Sequence, residues 1–472
     1  MSSFLQVRGN EIVRDGKPII LKGASLGGWM CMENFINGFP GHEHQFRASM
    51  KSVLGEKKAD FFFDKFLEYW FTEEDAKLYA SFGFNSIRLP VGYRHFEDDM
   101  NPRVIKESGY KHLDRVIDLC AKYGIYSIID LHTAPGGQSQ GWHCDSGISH
   151  ATFWDHKDFQ DRAINLLANM AERYKDNTWV AGYNPLNEPA DEHHTRLLDW
   201  YVQVEKAMRA VDPHHILFLD GNTYGADFRR FSEVKPLPNC VYAAHDYSAY
   251  GFPNPPEMFK GTAEQKAYHE KNYARKSEYM REINGPVWVG EFGPVYVSPE
   301  DGYSNWEEMN DARYDVAKDQ IDIYARDKAS WAIWLYKDVG FQGLVNIGKD
   351  TPWMKLIGPA NERKKRLAAD QWGVDDKEVR HLFDPIVKWV QETVPGFKSR
   401  YPPTWSATRH VSKVIREQLL SEELLKEFVL LFEGKSEAEL DELAKSFLLN
   451  NCVQRDRLCK ILADDAKATF SD

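Results

Sequence analysis

Along residues 72–335 the apolar positions alternate between short consecutive runs of strand length and longer stretches with apolar residues three and four apart, and each change of period marks a new element. Residues 10–18 read as a small hairpin with Asp15-Gly16 at its turn, leading into a first strand over 19–29 with a glycine-rich exit. Thr72 as N-cap, an acidic first turn and a stop at Gly83 predict a helix over 72–83, followed by a strand over 84–90 that carries Arg88 at its end. The alternation continues with helices over 110–123, 159–174, 194–211, 263–283 and 306–326. Strands are predicted over 125–132, 179–187, 216–220, 240–245, 287–291 and 330–335. Eight strands in such an alternation predict an α/β fold, a (β/α)8 TIM barrel, with its functional site at the carboxyl ends of the strands. An open doubly wound sheet is the competing topology, but neither Gly-x-Gly-x-x-Gly nor Gly-x-x-x-x-Gly-Lys-Ser/Thr occurs.

Beyond Pro402-Pro403 the pattern changes to two helical runs with charged faces, 411–432 and 436–449. The second opens with the capping box Ser436-Glu-Ala-Glu439 and carries Leu440, Leu443, Ala444, Phe447 and Leu448 at helical spacing. The chain therefore divides into a barrel over 1–400 and a C-terminal helical appendage over 401–472, which either packs on the outer wall or makes a subunit contact, giving a homo-oligomer. Three connections, 133–158, 247–261 and 336–375, are too long for turns and hold rings including Trp142, Trp154, Tyr250, Phe252, Tyr336, Phe341 and Trp353.

With 472 residues, 43% of them hydrophobic, the chain can bury a large core. Its formal charge of -12 disfavours nucleic acid and anionic membrane surfaces, and no apolar run is long enough to span a bilayer. Neutral or cationic ligands remain. Six scattered cysteines without a Cys-x-x-Cys pair, no Asn-x-Ser/Thr sequon and no charged-then-apolar leader at the N-terminus give the expectation of a reduced, cytoplasmic protein.

Two strand ends carry the candidate chemistry. Val180-Ala-Gly-Tyr-Asn-Pro-Leu-Asn-Glu-Pro189 presents Asn187 and Glu188, and Pro286-Val-Trp-Val-Gly-Glu-Phe-Gly-Pro294 presents Glu291. Two carboxylates at strand ends suit glycoside hydrolysis, in which one group attacks the anomeric carbon while the other protonates the leaving oxygen. Arg88 is the natural cation to keep Glu291 ionised, whereas Glu188, beside an amide and a proline, is expected in an apolar wall that keeps it protonated. Asn187 is placed to hydrogen-bond the sugar 2-hydroxyl.

On these residues the chain resembles glycoside hydrolase family 5, in the clan of (β/α)8 retaining glycosidases, over about residues 10–395. The matching pieces are Arg88 in Ile-Arg-Leu-Pro, His132 in Asp-Leu-His, Asn187-Glu188-Pro189, His245 and Tyr247 in His-Asp-Tyr, Glu291 in Gly-Glu-Phe-Gly and Trp334 in Ala-Ile-Trp. The resemblance implies, in turn, an arginine supporting the nucleophile, a substrate histidine, the acid/base glutamate, a histidine and tyrosine near the nucleophile, the nucleophile, and a tryptophan under the bound sugar. Residues 130–147 are similar to a loop of fungal exo-β-1,3-glucanases, from which they depart at Trp142-His-Cys144. The expected activity is retaining, exo-acting hydrolysis of short β-linked glucosides or xylosides without a cofactor. Loop 336–375 is expected to wall off one end of the cleft, with Trp142, Trp154 and Trp353 as candidate sugar platforms.

His193-His194, His214-His215 and His143-Cys144 lack metal-ligand spacing, so no metal site is expected. Two rival readings stay open: an endo-acting glucanase or mannanase with an open cleft, and a non-catalytic sugar-binding scaffold that recruits a partner through its C-terminal helices. Scaffolds of that kind lose a carboxylate, and this chain has both.

Overall fold

The computed structural model describes residues 3–370, 372–396 and 407–468. Eight parallel strands close into a barrel: β1 (Lys22–Ser25), β2 (Ser86–Gly92), β3 (Tyr126–Thr133), β4 (Val180–Asn184), β5 (Ile216–Asp220), β6 (Cys240–His245), β7 (Val287–Glu291) and β8 (Ser330–Ile333). Each strand pairs with the next and β8 returns to β1. Phe218, Val241, Ala243, Trp288 and Ala332 fill the interior together with Leu5 and Ile12 from the N-terminal segment. That segment forms the expected hairpin, with Arg14 opposite Lys17 and both Asp15 and Gly16 at positive φ. With the hairpin residues packed into this interior cluster, polar side chains collect at the carboxyl ends, where Glu291 pairs in register with His245 and Asp130 with Asn184.

The first strand is shorter than expected, and β4 stops at Asn184, so Asn187 and Glu188 stand on the loop beyond it. The helix over 263–283 breaks at Ser277 into Ala263–Lys276 and Glu278–Glu282. The run over 411–432 is interrupted by a π-helical stretch, Lys413–Leu420, between Ala407–Ser412 and Ser421–Val429. Loop 336–375 contains a helix of its own, Pro352–Arg366. Among the described helices without a counterpart in the expected elements are Glu43–Leu54, Glu56–Trp70, Arg380–Thr393 and Asp456–Ala468, although Phe62, Phe63, Phe66 and Trp70 of the second follow helical spacing.

The first two of those helices receive the C-terminal segment. Phe46 meets Phe428, and Phe66 and Trp70 meet Phe447, within the same apolar cluster that surrounds the barrel. Cys452–Gln454 adds an antiparallel strand to Val345–Ile347, and Lys22 Nζ of β1 lies 2.6 Å from Asp465. The boundary expected at 400/401, with Pro402-Pro403, lies outside the described residues. All six cysteines are free. Among the described residues no helix is long and apolar enough to cross a membrane.

Lys337 is the polar pin of this arrangement. Fully buried, it donates from Nζ to Asp75 Oδ1 at 2.7 Å, to the Trp70 carbonyl at 2.7 Å and to the Phe447 carbonyl at 2.9 Å. Removing it strands a buried carboxylate and two carbonyls. Lys337→Met is therefore expected to destabilise the fold by about 3–5 kcal/mol, read as a lower urea midpoint at unchanged slope. Asp75→Asn in the same background should recover part of the loss; a shift below about 1 kcal/mol would show that Lys337 is not such a pin.

Candidate active site

Every second residue on a strand shares a face, so Asp130 and His132 of β3 both point into the top of the barrel, beside Arg88 of the neighbouring β2. Arg88 is wholly buried and its guanidinium is shared among five groups. It donates to Glu291 Oε1 at 2.5 Å, Asn187 Oδ1 at 2.6 Å and Asn184 Oδ1 at 3.0 Å, with Asp130 Oδ2 at 3.0 Å, while Trp288 lies beneath it. A planar fork of donors can do this; an ammonium could not. The Tyr247 hydroxyl donates to the other Glu291 oxygen at 2.8 Å. Burial works against a charge on Glu291, but His245, Arg88 and the Tyr247 phenol outweigh it and hold the carboxyl below its ordinary value.

Glu188 stands opposite, at φ +46°, with its backbone N–H held by Asp220 Oδ2 at 2.9 Å. A non-glycine residue in the left-handed region is uncommon, and here the Asp220 contact helps fix it. Glu188 Oε1 lies 2.8 Å from His245 Nδ1, which is itself 3.5 Å from Glu291 Oε2. Glu188 Oε2 lies 3.4 Å from His143 Nε2. Burial first, and the Glu291 charge second, push the Glu188 carboxyl well above its ordinary value. The expectation of an apolar wall is thus corrected: two imidazoles flank Glu188, and its proton is kept by desolvation and by a neighbouring anion. One ligand atom each from Glu188, His245 and Glu291 falls within 4.8 Å of the others. Three such atoms would suit a cation, and the same closeness of two carboxylates suits a double displacement.

The remaining residues of the sequence reading divide. His132 stacks face to face on Trp334, with centroids 5.2 Å apart, and its Nδ1 lies 2.7 Å from Asp130 Oδ2. Burial and Arg88 hold this imidazole neutral, its pKa lowered to about 3. Both rings line a cleft of about 1160 Å³ that also contains Glu188, Glu291, His245 and Tyr247. Asn187 sits between Arg88 and His132, its Nδ2 3.3 Å from His132 Nε2.

Trp142 lines the cleft, but Trp154 and Trp353 do not. Trp154 is buried against Phe153 and anchors its loop by donating to the Gln138 carbonyl. Trp353 is wholly buried among Phe62, Phe432 and Phe447, on the helix that fills the long loop. Neither is a sugar platform. Loop 336–375 does reach the cleft through Trp372, which packs edge-on to Tyr247 at 4.9 Å.

Glu33, Trp372, His143 and Lys413 are cleft residues that the sequence reading did not place there. Glu33 follows the glycine-rich exit of the first strand, a carboxylate just past a strand end, and that position was its signal. It accepts from Trp142 Nε1 at 3.1 Å, and burial followed by the Glu291 charge raises its pKa well above the ordinary value. Lys413 comes from the C-terminal segment, its Nζ 4.4 Å over the Trp142 ring and paired with Glu417. No local pattern announces such a contact.

A family model described as cellulase, glycosyl hydrolase family 5, matches residues 53–340. The chain belongs to glycoside hydrolase family 5. It is 52% identical over 468 residues to a β-xylosidase of Phanerodontia chrysosporium, covering 98% of each chain. It is 28% identical over 365 residues to a probable glucan 1,3-β-glucosidase A of Aspergillus clavatus, covering 69% of this chain and 84% of that one. Among solved structures, the endoglucanase Cel5A of Thermotoga maritima aligns with a TM-score of 0.46 at 18% identity, over 58% of this chain and 84% of that one. As a family 5 member the protein is a glycoside hydrolase that acts with retention at the anomeric carbon.

Proposed function

We propose that the protein removes single β-linked xylose or glucose residues from the ends of short glycosides, with Glu291 as nucleophile and Glu188 as acid/base. The observation that supports the roles is the pair of carboxyl oxygens within 4.8 Å in opposite electrostatic settings. In the first step Glu291, ionised beside Arg88, attacks the anomeric carbon while Glu188 gives its proton to the leaving oxygen. A glycosyl ester then occupies Glu291, and its charge is gone. The Glu188 pKa falls accordingly, so the same carboxylate takes a proton from water as that water displaces Glu291.

End-wise action is favoured by an aromatic cluster that lines the cleft. Phe35 lies 6.5 Å from Trp142 and 6.1 Å from Trp372, and the Trp142–Glu33 hydrogen bond braces it. The sugar follows from similarity to the β-xylosidase and the glucan 1,3-β-glucosidase. Nitrophenyl β-xylosides and β-glucosides, together with end-labelled oligosaccharides, test the proposal. Stepwise release of monosaccharide from the unlabelled end is expected. Early release of internal fragments would instead indicate endo action.

The two carboxyls also fix the pH response. Activity requires Glu291 ionised and Glu188 protonated, so kcat/KM is expected to rise on the acid side through the lowered Glu291 pKa and to fall only above the raised Glu188 pKa. The limbs belong to the coupled pair. In Glu291→Gln the neighbouring charge is absent and the Glu188 pKa should move down. Infrared titration of the Glu188 carboxyl reads this directly, and an unmoved value would show that the two groups do not interact.

A further inference from the structure

We propose that His143 is the positioning residue of the proton donor: its Nε2, 3.4 Å from Glu188 Oε2, donates to that oxygen and leaves Oε1 to carry the acid's proton. The inference rests on the assignment of Glu188 as acid/base. It concerns the tripeptide Trp142-His143-Cys144, where the loop departs from the related exo-glucanases and where the sequence suggests only a discarded metal ligand.

The Glu188 carboxyl is clamped between two imidazoles, one at each oxygen. A contact of 3.4 Å is long for a hydrogen bond, but catalytic contacts often close only when substrate binds. His143 reaches this position from a tight turn, Trp142–Cys144, after Gly141. A β-carbon on Gly141 would stand 2.4 Å from His143 Cε1, 2.6 Å from Nδ1 and 3.3 Å from Nε2, so the edge of the ring lies close against the glycine. There Nε2 meets two oxygens, Glu188 Oε2 and Ser139 Oγ, the latter at 3.2 Å. Ser139 Oγ in turn lies 2.9 Å from Cys144 Sγ.

His143 is neutral in this setting, because burial opposes its charge and His132, Lys413, His245 and Arg88 all face it as actual or potential cations. A neutral imidazole has one proton to place. With that proton on Nε2 the ring can donate to Ser139 Oγ at 3.2 Å or turn toward Glu188 Oε2 at 3.4 Å, and the Ser139 hydroxyl can turn to the Cys144 sulfur. On Nδ1 it would leave a ring lone pair toward Ser139 Oγ and Glu188 Oε2, which Glu188 could meet only with its own proton on Oε2. In the proposed arrangement the ring is the Nε2–H tautomer, and the acid's proton stays on the other oxygen.

That choice decides which Glu188 oxygen is the acid. With Oε2 accepting from His143, the carboxyl proton is placed on Oε1, whose remaining lone pair can still meet His245 Nδ1 at 2.8 Å, the nitrogen it shares with Glu291. Oε1 borders the gap between the carboxyls, where the scissile oxygen sits. It gives its proton to the leaving oxygen as the glycosidic bond breaks and the ester to Glu291 forms. In the second step it takes a proton from water as the water oxygen bonds to the anomeric carbon and Glu291 departs. Proton and charge return to their starting places.

His143→Leu and His143→Gln test this on a methyl glycoside, which needs the proton, and a 2,4-dinitrophenyl glycoside, which does not. His143→Leu is expected to lower kcat/KM about 30-fold on the first and less than about 3-fold on the second. The glutamine amide can stand where Nε2 stood, so His143→Gln should recover most of the loss. Equal loss on both substrates, or none on either, overturns the proposal. Should the leucine variant fail to fold, His143→Asn takes its place, since its amide reaches only the Nδ1 position; equal behaviour of the asparagine and glutamine variants is then the contrary result. Glu188→Ala measured alongside separates the two levels. Leaving-group dependence in Glu188→Ala without any in the His143 variants removes this inference alone, whereas its absence in Glu188→Ala removes the acid/base assignment as well.

Discussion

Glu291→Gln is expected to lower kcat/KM by about four orders of magnitude or more, equivalent to about 5.5 kcal/mol of transition-state stabilisation. An amide oxygen has nearly the shape of a carboxylate oxygen but too little nucleophilicity to displace an alcohol from the anomeric carbon. The fold should survive, since Arg88 keeps Asp130, Asn184 and Asn187 as partners and the new amide can still accept from it. Circular dichroism and the thermal midpoint check this in the same sample. A variant that folds and keeps more than about a hundredth of wild-type rate would place the nucleophile elsewhere.

The second large effect is selective. Glu188→Ala is expected to slow glycosides with poor leaving groups by about 10²–10⁴-fold while leaving activated aryl glycosides much less affected in the first step, because only the former need a proton. The deletion opens space on the face from which water attacks. Azide can enter there, needs no general base, and should restore turnover with formation of a β-glycosyl azide, the product of attack on the α-linked ester of Glu291. Equal slowing of both substrate classes would remove the acid/base role from Glu188, and an α-azide would remove the covalent step.

The barrel and its central cluster were legible because both rest on short-range rules. A short apolar strand presents its last polar residues at the barrel's rim, so Arg88 and Glu291 were readable from position, whereas His132 and His245, also at strand ends, stood out through the family resemblance. The surroundings of Glu188 were not. Its neighbours His143 and His245 come from separate loops and strands, and nothing near residue 188 in the chain names them. Aromatic rings in long loops failed as a signal for a related reason. Trp142 and Trp372 face the cleft, Trp154 pins its own loop and Trp353 fills a core, yet all four look alike in sequence because each buries the same kind of surface. The C-terminal helices showed their apolar spacing plainly, but spacing says that a face is buried and not against what. That Lys413 reaches the Trp142 ring depends on the packing of those helices against Glu43–Leu54, a helix whose own pattern went unread.

At the centre of the account is a covalent glycosyl ester on one named residue. A 2-deoxy-2-fluoro glycoside of the preferred sugar with a dinitrophenyl leaving group slows both steps, but its leaving group keeps the first fast enough for the ester to accumulate. Intact mass followed by peptide mapping of the inactivated protein then reads the attachment site. The account predicts one fluoroglycosyl group per chain, on the peptide containing Val289-Gly290-Glu291-Phe292, with release of one equivalent of dinitrophenol. A label on Glu188 or on any other residue, or steady turnover with no label, would contradict it.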